Sequence, residues 1–153
     1  MTATLVLWVA AGVIENLRWV RVADLGSLRD ASIIYRPKLK IFVVAHDQGV
    51  LALSAISPHR PDLGERVLFC RSSDMFEAPH GEKFDLLGFY FAGPAPRGMD
   101  RVAVKVEDGQ VFVNPDDTNL GPARGESNPH EPKGPFCPED SQEGPPGFIS
   151  DSD

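Results

Sequence analysis

Polar and apolar positions along this chain alternate in short runs separated by turn residues. Leu17-Arg18-Trp19-Val20-Arg21-Val22 alternates as a half-buried strand does. Lys40-Ile41-Phe42-Val43-Val44-Ala45-His46 is followed by Asp47-Gln48-Gly49 and then Val50-Leu51-Ala52-Leu53-Ser54, a strand, a glycine-containing turn and a returning strand. Arg66-Val67-Leu68-Phe69 predicts a short strand that leads into Cys70. Arg101-Val102-Ala103-Val104-Lys105-Val106 alternates cleanly, turns at Glu107-Asp108-Gly109 and returns as Gln110-Val111-Phe112-Val113. No segment of the body carries a sustained apolar period of 3.6 residues with caps. The pattern predicts an all-β domain, a small antiparallel β-sandwich or partly open barrel.

The pattern changes at both ends, which divides the chain into three parts. Residues 1–16 form an apolar N-terminal segment. Its run from Thr4 to Ile14 is shorter than the ~20 residues that span a bilayer, and it lacks the basic residues that precede a signal-peptide core. It reads as an extra strand, a docking helix or the end of a truncated anchor. Residues 17–115 form the domain. In residues 116–153, Gly, Pro, Ser, Asp and Glu dominate, too few apolar groups to offset ordering entropy, so a disordered tail is expected. Pro135-Phe136 and Gly147-Phe148-Ile149 are its apolar footholds.

Charge and cysteine content narrow the partners. The net charge of −7 arises from the tail, because acidic and basic residues balance in the body. Without clustered Lys and Arg there is no footprint for nucleic acid. The two cysteines, Cys70 and Cys137, form no Cys-x-x-Cys motif. Two free thiols are expected, with Cys70 acting as a small buried apolar residue; a single bridge is the alternative. No Ser-His-Asp spacing, phosphate-cradling glycine loop or zinc motif points to an enzyme.

The candidate chemistry lies in two stretches. The first is Ser57-Pro58-His59 within Ala52–Gly64. The second is Glu77-Ala78-Pro79-His80-Gly81, followed by Phe84-Asp85 and then by Gly93-Pro94-Ala95-Pro96-Arg97. From about Trp19 to Asn114 the chain resembles the Rieske domain family. Ser57-Pro58-His59 stands where that family has Cys-x-His, and Leu63-Gly64 matches its Leu-Gly, displaced by Arg60-Pro61-Asp62. His80-Gly81 with Phe84-Asp85 matches the second loop. Gly93–Arg97 matches the proline-rich segment that covers the cluster in cytochrome bc-type members. The resemblance implies a Rieske-like fold with two cluster-loop hairpins, and a [2Fe–2S] cofactor held by two thiolates on one iron and two histidines on the other.

This chain keeps His59 and His80 and lacks both thiolates. Ser57 holds the first cysteine position. Glu77 holds the second when counted from His80, or Ala78 does if the loop is one residue shorter. A further cysteine pair that often staples the two loops is also missing: Glu65 stands at one position, and Pro79 or a deletion at the other. Serine ionises far less readily than a thiol and its oxygen is a hard donor, whereas the cluster needs soft anionic ligands. Ligands and staple are replaced together. The expectation is a Rieske-like protein without a cluster and with no cofactor, serving as an accessory or structural subunit of a respiratory or redox complex. The alternative is a [2Fe–2S] electron-transfer protein with unusual ligation. A mononuclear site of His59, His80 and a carboxylate from Glu77, Asp62 or Asp74 is a further reading. His46 ends a predicted strand and His130 lies in the tail, so neither is a good ligand candidate. A protein partner is expected, with membrane association only through that partner or the N-terminal segment. The chain is expected to be soluble or peripheral, on the extracytoplasmic side if it follows the family.

Overall fold

The computed structural model describes residues 18–30, 33–126 and 128–138. The apolar run from Thr4 to Ile14 and the foothold Gly147–Ile149 lie outside these residues. Among the described residues no helix is long and apolar enough to cross a membrane.

Strands β1 (Val20–Asp24), β2 (Ile33–Arg36), β3 (Ile41–His46) and β4 (Gly49–Ser54) precede the first loop, with one short helix, α1 (Leu25–Asp30), after β1. Strands β5 (Leu68–Cys70), β6 (Met75–Glu77), β7 (Lys83–Phe84) and β8 (Tyr90–Ala92) follow it. The chain then returns through β9 (Arg101–Glu107) and β10 (Gln110–Asn119). All pairings are antiparallel. A six-stranded sheet runs in the order β1-β10-β9-β4-β3-β2, and a four-stranded sheet in the order β5-β6-β7-β8. The all-β class read from the alternation is the class observed. Both predicted hairpins form, β3 with β4 from Ile41↔Ser54 to His46↔Gly49, and β9 with β10.

Alternation explains how one sheet serves two cores. Side chains of successive strand residues point to opposite faces. On β3, Phe42 and Val44 join a cluster with Tyr35, Leu53, Val67, Phe76, Phe84 and Met99. Ile41 and Val43 face the other way, into a cluster with Val22, Leu28, Ala52, Val102 and Val111. The first cluster binds the large sheet to the small one through an aromatic chain: Tyr35 to Phe42 at 4.7 Å, Phe42 to Phe76 at 4.7 Å and Phe76 to Phe69 at 5.6 Å between ring centroids. Phe42, Phe76 and Phe84 are fully buried. Each contributes about 1.5–3 kcal/mol from burial, so the small sheet that carries the second loop is rigidly seated.

The end of the domain differs from the expectation. The composition boundary at residue 116 falls inside β10, whose register shifts between Asn114 and Thr118. Pro115 lies in that bulge, where a missing N–H costs no ladder bond. Beyond β10 the chain, expected to be disordered, is anchored on the domain as far as Pro138. Ala123 forms a bridge with Arg97. Arg124 donates to the carbonyls of Ala95 and Gly93 and stacks over Tyr90. The Lys133 N–H donates to the Ser73 carbonyl at 2.8 Å, and Phe136 packs beside Phe91. Hydrogen bonds to backbone and cation–π contacts hold this segment, so its low apolar content misleads. The expectation of two free thiols is likewise corrected, because Cys70 and Cys137 form a disulfide. Residues 139–153 lie outside the described residues.

Candidate functional site at the two loops

The first loop leaves β4 at Ser54 and returns to β5. Its neck is closed by two backbone bonds, Ser57 N–H to the Glu65 carbonyl at 2.7 Å and Val67 N–H to the Ala55 carbonyl at 2.8 Å. Arg60-Pro61-Asp62, which displace Leu63-Gly64 from the expected spacing, are absorbed in a 3-10 turn over Pro61–Leu63. Proline fixes the first turn, and Gly64 ends it in the left-handed conformation at φ 65°. The second loop is a tight reversal between β6 and β7. The Ala78 N–H donates to the Glu82 carbonyl, and the Gly81 N–H, at φ 92°, donates to the Ala78 carbonyl.

These two reversals bring the two histidines together. The His59 and His80 rings lie 5.5 Å apart, edge to face. Beneath them the loops are joined by a group the sequence reading passed over. Glu82 is fully buried. Its Oε1 accepts a hydrogen bond from Ser57 Oγ at 2.9 Å, and its Oε2 accepts the His80 N–H at 2.9 Å. Ser57 is also fully buried, and its Oγ accepts the His59 N–H at 3.2 Å. A carboxylate removed from water needs such partners. The chain from His59 backbone to Ser57, Glu82 and His80 backbone supplies them and ties one loop to the other.

A second contact links the loops at the surface. His80 Nε2 lies 2.9 Å from Glu65 Oε1. Glu65 stands at one of the stapling-cysteine positions, so an ion pair connects the loops there. The hydrogen bond to the Glu65 carboxylate, and next that carboxylate's charge, raise the His80 imidazole above the usual histidine range. Glu65 Oε2 is buried with no hydrogen-bond partner among the described residues.

The segment Gly93–Arg97 lies against the second loop. A β-carbon on Gly93 would stand 2.5 Å from the Gly81 carbonyl oxygen and 2.6 Å from the Glu82 α-carbon. The segment is fixed from behind by Tyr90 Oη donating to the Gly93 carbonyl and by the paired Arg97–Asp100 bonds at 2.7 and 2.8 Å. Ala95 is fully buried.

The other candidate residues point elsewhere. The Glu77 carboxylate is buried against Ser73 Oγ at 2.7 Å, Lys83 Nζ at 3.3 Å and the Cys137 N–H. Ala78 joins the aromatic core. Asp62 pairs with Arg60, and Asp74 with Lys133. The carboxylates named for a mononuclear site with His59 and His80 therefore meet partners other than the two histidines. His46 caps its own hairpin turn, and His130 meets Asp85. The donor set at the loops does not fit a [2Fe–2S] cluster. Two thiolates are required; the first position offers a hydroxyl already bonded to Glu82, the second a carboxylate bonded to Lys83 or a methyl group, and both cysteines are joined to each other.

Glu82 carried a signal that sequence reading could have used. The glutamate directly after His80-Gly81 ends the short reversal Ala78–Glu82 that faces the first loop. A serine in a thiolate position also calls for an acceptor of its own.

No family model matches the chain. Over 76 residues it is 37% identical to the cytochrome b6-f complex iron-sulfur subunit of Chlorobaculum tepidum, which covers 49% of this chain and 40% of that protein. The match thus spans less than half the length of this relative. The crystal structure of the cyanobacterial plasma membrane Rieske protein PetC3 from Synechocystis PCC 6803 aligns with a TM-score of 0.49 at 24% identity, covering 61% of this chain and 97% of that one. In its ordered loop motifs and in its sequence match to an iron–sulfur subunit, the chain is similar to the Rieske domain family.

Proposed function

We propose that this chain is a Rieske-fold subunit that works without an iron–sulfur cluster, as an accessory or structural component of a redox electron-transfer complex. The buried Ser57–Glu82 hydrogen bond carries this reading. It joins the two loops by a hydroxyl and a carboxylate at the position where family members offer a thiolate, and it satisfies both groups from within the chain. The Glu65–His80 pair supports the reading at a staple position. A scaffold whose loops are held by its own side chains keeps its shape with no metal, and the loop face with His59 and His80 remains available to a protein partner. The relative's name as a subunit of a cytochrome b6-f complex supports a membrane redox complex as the setting, with this chain on the extracytoplasmic side and attached through its partner.

The second reading, electron transfer through a cluster with unusual ligation, draws on one observation, the retained face-to-edge pair of His59 and His80. Visible absorption and low-temperature EPR of anaerobically purified protein separate the two. A colourless, EPR-silent protein is expected. A Rieske-type visible spectrum with a low average g value would overturn the proposal and establish the second reading.

A further inference from the structure

A second constellation, formed where Cys70 ends β5, Glu77 ends β6 and Cys137 returns to the domain, shares no residue with the Ser57–Glu82 contact. The ligand atoms of Cys70, Cys137 and Glu77 lie within 4.8 Å of one another. Cys70 and Glu77 are buried and Cys137 is partly exposed. We propose that reduction of the Cys70–Cys137 disulfide opens a binding site for a soft divalent cation such as zinc, held by the two thiolates and the Glu77 carboxylate.

Four observations carry the proposal. The three ligand atoms already lie within 4.8 Å of one another, so once the S–S bond opens only small shifts bring them to the roughly 3.5–3.8 Å separations of a tetrahedral site. Three protein ligands leave one position open to water, as in other three-ligand zinc sites. The outer contacts that orient such ligands are also in place. Ser73 Oγ donates to Glu77 Oε1 at 2.7 Å, and Ser72 Oγ lies 3.2 Å from Cys70 Sγ and 3.7 Å from Cys137 Sγ. Charge closes as well. Two thiolates and a carboxylate are balanced by a divalent cation and the Lys83 ammonium, which is 3.3 Å from Glu77 and only 10% exposed.

Cys137 stays near Cys70 after the bond opens, because other contacts hold its segment. Ser72 Oγ donates to the Pro135 carbonyl at 2.7 Å, and Lys133 N–H to the Ser73 carbonyl at 2.8 Å. Gly134 lies so close that a β-carbon there would stand 2.5 Å from the Ser72 carbonyl oxygen. Phe136 is flanked by Phe91 and Lys83.

The chemistry balances with a dithiol as reductant. Its thiolate attacks Cys137 Sγ, the more exposed sulfur, and the S–S bond breaks with Cys70 leaving as a thiolate that takes a proton. The reductant's second thiol then displaces Cys137, also protonated, and the reductant departs as its own disulfide. Two electrons and two protons have passed to the protein. The incoming cation displaces those two protons to solvent as it takes both sulfurs.

The test uses the full chain, reduced with a water-soluble phosphine that does not bind the metal, with free thiols counted before cobalt(II) is titrated. Two thiols per chain are expected. One cobalt should then bind with a thiolate-to-metal charge-transfer band, which the oxidised chain lacks. One equivalent of zinc should raise the melting temperature of the reduced chain and leave that of the oxidised chain unchanged. Glu77→Gln should weaken cobalt binding at least tenfold. The proposal is overturned by a reduced chain that shows no charge-transfer band, by equal cobalt binding in the oxidised chain, or by a disulfide that resists the phosphine while the chain is folded. Unchanged affinity in Glu77→Gln would overturn the three-ligand assignment.

Discussion

Replacing Ser57 with alanine tests the contact on which the loop architecture rests. In the native protein Ser57 Oγ donates to Glu82 Oε1 at 2.9 Å, with both residues fully buried. The substitution removes that donor and leaves a buried carboxylate oxygen short of a partner. A hydrogen bond to a charged group is worth about 1.5–3 kcal/mol. Ser57 Oγ also accepts the His59 N–H at 3.2 Å, a partly exposed bond worth about 0.5–1 kcal/mol. The expected loss is therefore roughly 2–4 kcal/mol. For a chain of this length each kcal/mol is about 2–4 °C, so the melting temperature should fall by ~4–16 °C. Urea denaturation gives the free energy directly, with an unchanged m-value confirming that the unfolded state is unaltered. A double-mutant cycle with Glu82→Ala isolates the pair, because the cycle cancels the bond from Glu82 to the His80 N–H. A coupling of about 1.5–3 kcal/mol is expected. If Ser57→Ala lies within about 0.5 kcal/mol of the native protein, or the coupling is that small, the bond does not hold the loops and the reasoning fails.

Three further perturbations probe the surrounding contacts. His80 has its pKa raised by Glu65, so the stability from this pair is fully present below the free-histidine value of about 6.5 and is lost as pH rises through the raised value. The melting-temperature gap between the native protein and Glu65→Gln should therefore be widest on the acid side, near pH 6, and close toward pH 9; a gap that grows with pH contradicts the pairing. Reducing the Cys70–Cys137 disulfide without added metal releases a loop of sequence separation 67 and should cost about 2–5 kcal/mol in urea denaturation, whereas an unchanged midpoint would mean that the bond does not form in the folded chain. Gly93→Ala places a β-carbon against the backbone of Gly81 and Glu82 at φ 91°, and calorimetry should show a loss of about 2–4 kcal/mol; a neutral effect would mean that Gly93–Arg97 does not press on the second loop.

The framework was legible because its signals are local. Ile41–Ser54 shows as a short apolar run, a glycine turn and a returning run, and Arg101–Val113 as alternation about a glycine turn, and both hairpins follow. The ordered loop motifs located His59 and His80, and the reversals bring them together. The short strands β6 to β8 were not legible, since two or three residues cannot display a period. Glu82 was missed because a glutamate next to a turn glycine reads as a solvated group; only the facing Ser57, 25 positions away in the chain, makes it a buried acceptor. The disulfide was missed for a related reason, because sequence separation carries no distance. The segment around Arg124 and Lys133 reads as polar tail, yet it is held by backbone hydrogen bonds and cations over aromatic rings, which hydropathy does not record.

The central claim is that the loops of this Rieske-like chain close on themselves through Ser57 and Glu82 and hold no cluster. Iron and acid-labile sulfide, counted per chain after anaerobic reconstitution with ferrous iron and sulfide followed by desalting, test it most directly. The account predicts far less than one of either per chain, from protein that remains folded. Two irons and two sulfides per chain, lost when His59 and His80 are both replaced by alanine, would contradict it.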